Sequence, residues 1–410
     1  MNSPSDAEVR KSAEEMDEAR QKTLAYEYLC HLAEAKKWLE ACLREELPPT
    51  TELEENLRNG VYLAKLAHFM DPEAVPLSKI YDIDQKRYRL CGLQFRHTDN
   101  INHFLKCMQS MQLPLTFQPE TTDIYDKKNM PRVIYCIHAL STHLFKLGRA
   151  PQIQDLYGKI NFTEAEIDAV KRELQKYGIQ MPAFQKIGGL LTNSMAGDTA
   201  ALHAAVIAIN SALTDSNKKS MMEGLRNKAA RLQNVEPGHI NEYYETLLDA
   251  KDMKTQAALN RSLNDSYVPD AYDELLTPAE IQGHLNNVNA RLAYKALMSA
   301  LTDDDNKLIT ALKKPALGLH NIYPENVEHY RRMLEPLIHR LELADESEDN
   351  SRYWQDLLQP RILKANEMAY EILKKKQAVD ALNNALENNS EEEFLEALLD
   401  PELGLANKVD

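Results

Sequence analysis

His103 and Cys107 stand four residues apart in NINHFLKCM, a run that reads as a helix, so both could face one metal ion. A zinc site needs three or four such ligands and spacing supplies no third, so the pair reads as helix surface or core. His138 and His143 flank an apolar stripe without a carboxylate or nucleophile at a telling interval, and both read as packing or surface histidines. Gly158-Lys159 is followed by Ile160 and lacks the leading glycine of a phosphate-binding loop. Neither G-x-S-x-G nor H-E-x-x-H occurs. No acid, base and nucleophile can be assembled, so the expectation is no enzyme, no cofactor and no metal site.

What remains is charge. Lys79, Lys86, Arg87, Arg89 and Arg96 crowd a segment that holds only Asp82 and Asp84 against them, with Tyr81 and Tyr88 interleaved and His97 following. Lys127, Lys128 and Arg132 form a second basic patch. Such patches steer an acidic protein surface, mainly through the association rate. The plain alternative for any one of them is an ordinary solvated charge. The chain as a whole carries 48 Lys plus Arg against 63 Asp plus Glu, a net charge of −15, which is not the balance of a nucleic-acid binder. Residues 26–159 are neutral, with 17 charges of each sign, and the acidic excess falls mostly after them. The front is therefore where an acidic partner would dock.

The elements that position these charges are helices. Leu32, Ala35, Leu39 and Leu43 stripe a first helix beside Trp38, stopped by Pro48-Pro49. Thr51-Glu-Leu-Glu54 has the form of a capping box opening a second helix, ELEENLRNGVYLAKLAHF, with Leu53, Leu57, Val61 and Ala64 on one face and Gly60 kept for packing. A third helix turns Ile101, Phe104, Leu105 and Met108 inward. After the polar loop PETTDIYDKKNM, Pro131 suits the first turn of a fourth, whose Val133, Ile137, Leu140, Leu144 and Leu147 share a stripe. No alternating strand pattern is present, and the fold class is all-α. Residues 1–25 read as a polar tail or solvated helix.

Five cysteines, Cys30, Cys42, Cys91, Cys107 and Cys136, form no C-x-x-C pair and suit packed, reduced thiols in a cytoplasmic setting. No apolar run approaches the roughly 20 residues of a membrane span, and the N-terminus is too polar for a signal peptide.

The phrases ELPPTTELEENLRNGVYLAKL, FRHTDNI, PETTDIYDKKNMPR and APQIQDLYGKINFT resemble the calponin-homology domain in its single-copy form, and within that group the IQGAP-type scaffolds. The resemblance is dense over residues 26–162 and looser through KYGIQMPAFQKIGG. It implies an F-actin-binding domain. In the family, actin contacts are attributed largely to the first and last helices, which here carry Lys36 and Lys37, and Arg132 to Lys146. The candidate contact set is Lys36, Lys37, Lys79, Lys86, Arg87, Arg89, Arg96, Lys127, Lys128 and Arg132. Strong actin binders usually pair two such domains, whereas one is present here.

The family is also calmodulin-regulated, chiefly through IQ motifs. Ile153-Gln154 and Ile281-Gln282 lack the basic positions such a motif requires, so calmodulin is a candidate partner through the calponin-homology domain alone. The alternative function is a signalling adaptor whose domain binds a regulator or microtubules. A small-GTPase-binding region does not occur in this sequence. The implied localisation is the cytoplasm, at the actin cytoskeleton and cell cortex.

Residues 163–199 form a helical connector that opens on the cap Thr163-Glu-Ala-Glu166, and residues 200–410 repeat. GLRNKAARL, ALKKPALGL and ALLDPELGL begin at Gly224, Ala311 and Ala397, and Pro237, Tyr243 and Leu247 correspond to Pro324, Tyr330 and Leu334. Short helices ending at Leu213, Leu301 and Leu386 precede each phrase. A period of about 87 residues signals a stacked helical array, expected to act as spacer, docking surface or homodimer contact. Its acidic runs, 345–349 (DESED) and 391–393 (EEE), suit a soluble array. The third unit breaks off mid-repeat at Asp410, as a fragment or short form would.

Overall fold

Apolar residues at helical spacing must bury one stripe apiece, and the computed structural model satisfies this with helices packed on helices. It describes residues 13–178, 181–184, 187–193, 199–262, 273–337, 351–388 and 390–403, and no strand occurs among them. The chain divides into two compact units between Val288 and Asn289.

The first unit opens with α1 (Ala13–Leu43), followed by α2 (Leu53–Leu57), α3 (Val61–Met70), α4 (Lys86–Cys91), α5 (His97–Ser110), α6 (Thr121–Tyr125) and α7 (Met130–Lys146). Leu39, Leu53, Leu57, Leu63, Phe104, Ile137 and Leu140 are fully buried together between these helices. The expected stripes form this core, with Leu43 and Leu105 half-buried at its edge and Leu147 outside it. Leu147 follows the last helical residue and is exposed. Pro131 lies in the first turn of α7, and the Asn129 side chain caps that turn by accepting from the Arg132 N–H at 3.1 Å.

The second helix expected from ELEENLRNGVYLAKLAHF is two helices. Thr50–Glu52 form a 3-10 turn with no side-chain cap, so the Thr51 capping box does not form. The chain breaks at Gly60, whose φ of +66° is left-handed. A Cβ there would lie 2.8 Å from Ile101 Cγ1 and 2.9 Å from the Ile101 backbone nitrogen, so the close approach of α5 requires glycine. The first helix likewise ends before Pro48-Pro49, at Leu43, with Arg44 left-handed. Of the expected polar tail, residues 13–25 belong to α1, and residues 1–12 lie outside those described.

Five more helices lie wholly in this unit: α8 (Glu164–Tyr177), α9 (Ile187–Asn193), α10 (Thr199–Thr214), α11 (Lys218–Leu225) and α12 (Ile240–Ser262). α13 (Pro278–Leu301) supplies residues to both units. Thr163 and Glu166 make the expected reciprocal cap on α8, which packs along α1 and adds Val170 to the core. The second unit holds α14 (Asp305–Leu312), α15 (Val327–Leu334), α16 (Ser351–Glu387) and α17 (Glu391–Leu398) around a core of Leu297, Leu308, Leu312, Leu334, Leu358 and Ile362.

The sequence period has a structural counterpart within each unit. α11, α14 and α17 are each capped by a polar side chain, from Asn217, Asp304 and Ser390, and each leads to a 3-10 turn at Lys228–Ala230, Pro315–Leu317 and Pro401–Leu403. Buried Tyr243 accepts from the Glu236 N–H at 3.1 Å and donates to the carbonyl of left-handed Asn234. Buried Tyr330 repeats this with Tyr323 and left-handed Asn321. The motifs ending at Leu213, Leu301 and Leu386 are not short helices. They lie in the last turns of α10, α13 and α16. The run at 345–349 lies outside the described residues, while Glu391, Glu392 and Glu393 occupy the first turn of α17, where carboxylates favour the helix dipole.

Candidate protein-interaction surface

The basic segment 79–96 lies between α3 and α5, and buried amides hold it in place. Asn100, fully buried at the start of α5, accepts from the Tyr81 N–H and donates to the Tyr81 carbonyl, both at 2.9 Å. It also donates to the Asn59 carbonyl beside the Gly60 break, and Asn59 Nδ2 donates to Gln85 Oε1 at 2.9 Å. Asp82 points inward and accepts from the Arg87 and Tyr88 N–H groups at 3.0 and 2.8 Å, with the His97 ring 3.5 Å away. Burial alone would push the Asp82 carboxyl up. The two N–H donors and His97 outweigh burial and hold it below the usual carboxylate range.

Turning Asp82 inward changes the electrostatics of the outer face, because it serves backbone groups and His97 rather than the neighbouring cations. Asp84 pairs with Lys86 at 2.6 Å, both exposed. Arg96 and Arg87 lie over the Tyr81 ring, 4.4 and 5.8 Å from its centroid, within cation–π range. Arg89 donates to the carbonyls of Gln85 and Asp84, and exposed Lys79 donates to the carbonyl of Ala74. The outer face therefore keeps a positive excess, and several of its side chains are already ordered.

The second patch is dispersed. Lys127 is three-quarters buried and pairs with Glu54 at 3.3 Å and Glu173 at 3.7 Å. Arg132 is half-buried, donates to the Gln118 carbonyl and lies 3.8 Å from Asp123. Lys128 is exposed. Along α1, Lys36 pairs with Glu40 at 2.5 Å, and exposed Lys37 donates to Gln154. Both basic segments lean on α2. Tyr88 donates to the Glu55 carbonyl, Arg58 donates to the Tyr125 carbonyl, and Lys127 meets Glu54. Sequence gave no sign of this shared support, since the contacts span from 33 to 73 positions.

The last helix of the domain is enclosed: α7 has no fully exposed side chain from Met130 to Lys146. α9 packs on it, Phe145 meets the backbone of Gly283 and the His284 ring, and the Lys146 carbonyl accepts from Asn286. His143 Nε2–H donates to the Met111 carbonyl at 2.9 Å, and the side chain is buried, so it is a core residue. Cys30, Cys42, Cys107 and Cys136 are buried, and Cys91 is exposed. Burial pushes the Cys30 and Cys136 thiols up to about 12, far from thiolate chemistry.

His138 belongs to a buried cluster that the sequence did not suggest. His31 and Glu34 of α1 and His138 of α7 bring ligand-type atoms within 4.8 Å of one another, under the ring of Phe184, which stacks on His31 at 3.8 Å. These are the described residues that could hold a metal ion, and the cluster offers three ligands where a closed zinc site uses four. Its hydrogen bonds tie α1 to α7 and to the Leu156 backbone, and they leave His31 Nε2 without a hydrogen-bond partner, 3.8 Å from Glu27. His31 Nδ1 meets Glu34 at 2.8 Å, Leu156 N–H donates to Glu34, and His138 Nε2 meets the His31 carbonyl. Burial alone would lower the His31 pKa, but Glu34 and then Glu27 outweigh it and raise it to about 9. Burial lowers His138 to about 4 against the pull of Glu34, so a charged His31–Glu34 pair sits beside a neutral His138. His103 and Cys107 contribute no third ligand, and Cys107 instead faces the Ala67 carbonyl across α3.

Comparison with known proteins follows this architecture. The calponin homology (CH) domain family model matches residues 29–146. Human "Ras GTPase-activating-like protein IQGAP2" is 50% identical over 400 residues, 97% of this chain and 24% of that protein. Human "Ras GTPase-activating-like protein IQGAP3" is 52% identical over 326 residues, 79% of this chain and 20% of that protein. The crystal structure of the calponin-homology domain of Rng2 from Schizosaccharomyces pombe is 42% identical, covering 40% of this chain and 99% of that one, with a TM-score of 0.37. The chain spans about a quarter of the length of these curated IQGAP relatives. No described helix is long and apolar enough to cross a membrane. Identity across 97% of its length, together with the calponin-homology match at its front, places this chain among the IQGAP-type proteins, with an N-terminal calponin-homology domain followed by helical segments.

Proposed function

We propose that this chain is the actin-binding and spacing part of a cytoskeletal scaffold. The calponin-homology domain, over about residues 26–162, docks on F-actin through the outer face of segment 79–96, and the helical repeats of residues 200–410 set distance and self-association. The observation that carries this reading is the fixed segment itself. Asp82 is turned inward and Asn100 clamps the backbone, while Lys79, Arg87, Arg89 and Arg96 face outward. Preset cations on a rigid support match an acidic filament and lower the ordering cost of binding. Lys128 and Lys37 extend the contact, while Lys127, Lys36 and Arg132 stand behind it in ion pairs.

One such domain gives a weak grip, and dimerisation through the repeats would raise it by avidity. The setting is the actin-rich cortex of the cytoplasm. The role is that of a non-enzymatic scaffold, in keeping with the calponin-homology domain at its front. Calmodulin is a candidate regulator of the same domain.

Reversing Lys79, Lys86, Arg87 and Arg89 to Glu in the full chain tests the surface by co-sedimentation with F-actin. The reading expects at least about tenfold weaker binding at low salt, where exposed charges are least screened. Binding equal to the parent's would exclude this face. Sedimentation equilibrium tests the repeats, and a strict monomer at high concentration would remove self-association.

A further inference from the structure

Two large apolar side chains protrude from the same basic segment. Leu90, in the last turn of α4, is 84% exposed, and Phe95, just before α5, is 82% exposed. Single exposed hydrophobes are ordinary. These two differ in their setting, because the backbone beneath each is fixed. The Gly92 N–H donates to the Tyr88 carbonyl at 2.9 Å, closing α4 with a left-handed glycine whose missing Cβ would face open space. The Phe95 carbonyl accepts from both the N–H and the hydroxyl of Thr98, at 2.9 and 2.7 Å. Gln94 between them is held by Tyr81 Oη at 2.6 Å and by His97 Nδ1 at 2.9 Å. Arg87 and Arg96 bracket the pair in sequence and are themselves ordered by the Tyr81 ring.

Exposed apolar side chains on a fixed backbone within a basic segment have the make-up of an interface hot spot, in which apolar anchors supply affinity and neighbouring charges supply approach and register. We infer that Leu90 and Phe95 are the apolar anchors of the actin contact, entering an apolar cleft bordered by carboxylates on the filament. This rests on the F-actin reading above and adds to it a component of binding that salt does not screen. Complementary charge selects an acidic protein surface. An anionic lipid surface shares that charge, but anchors held on a rigid turn suit a fixed cleft, whereas a bilayer imposes no such geometry.

The test compares the full chain, its Leu90→Ser/Phe95→Ser variant and the Lys79/Lys86/Arg87/Arg89 charge reversal in F-actin co-sedimentation at three salt concentrations. Vesicles of phosphatidylserine and phosphatidylcholine form a parallel arm. Because both side chains are exposed, the serine variant should keep the parent's melting temperature. The inference predicts that it binds at least about tenfold more weakly at every salt with an unchanged salt dependence, whereas the charge reversal flattens that dependence. Parent-like binding by the serine variant overturns the anchors and leaves the actin reading standing. A parent that fails to bind filaments overturns both, and if it binds the vesicles and loses them on Leu90→Ser/Phe95→Ser, the anchors belong to a lipid surface.

Discussion

Glu54 accepts from Tyr28 Oη at 2.5 Å and Tyr177 Oη at 3.1 Å, and pairs with Lys127 at 3.3 Å, all in a nearly buried site. Burial, and then the Glu54 charge, push both tyrosine hydroxyls up in pKa, so they stay protonated donors. Glu54→Ala strands the Tyr28 and Tyr177 hydroxyls and leaves Lys127 with Glu173 alone, and it should destabilise the first unit by about 3 kcal/mol in urea unfolding. A loss under about 1 kcal/mol would show that the site repacks. The histidine cluster makes a prediction with a sign. His138 is held at about 4 against an ordinary 6.5, so the unfolded chain takes up its proton first as pH falls. The parent should lose stability between about pH 6.5 and 4, by on the order of 3 kcal/mol from this group. His31, raised to about 9, contributes fully below 6.5 and loses that contribution as pH rises toward 9. His138→Gln should therefore gain stability relative to the parent as pH falls from 6.5 to 4, read from urea midpoints across pH. A difference independent of pH would contradict the neutral His138. Neither site was legible in the chain: His138 and His31 are 107 positions apart, and a lone histidine beside an apolar stripe carries no sign of a partner.

At the scale of elements, the apolar stripes did identify helices and core, because burial of one face is what the period encodes. Val133, Ile137, Leu140 and Leu144 of α7 are all fully buried, and Leu53, Leu57, Val61 and Ala64 remain on one buried face even across the break between α2 and α3. A packing role for Gly60 was legible, but the break was not, because the left-handed backbone there answers to Asn100 and Ile101 of α5, about 40 positions away. Gly60→Ala should cost about 2–4 kcal/mol, from left-handed strain plus the clash with Ile101. Parent-like unfolding would show that α5 can retreat. In the repeats, sequence gave the spacing of Tyr243 and Tyr330 but not their role as clasps on left-handed asparagines. Tyr243→Phe and Tyr330→Phe should each cost about 1 kcal/mol in the unit that contains them. Unequal losses, with one near zero, would break the equivalence of the two clasps.

For the whole molecule, charge separates the roles. The calponin-homology domain is neutral overall, with exposed cations gathered on the clamped segment 79–96 and others dispersed at Lys37, Lys106 and Lys128, while the helical segments after it carry the acidic excess. The domain's last helix, α7, is enclosed by α9 and by the start of α13, and the surface proposed for a partner is the edge formed by segment 79–96 with its neighbours on α2. That edge was half legible. The cations could be read directly, but the inward turn of Asp82 toward His97 and the clamping of Tyr81 by Asn100 depend on residues outside the segment. The most direct test of the account is co-sedimentation of the 410-residue chain with F-actin over a salt series. The account predicts saturable binding that weakens but does not vanish as salt rises, since cations and apolar anchors act together. No depletion of the chain by filaments even at the lowest salt would contradict it.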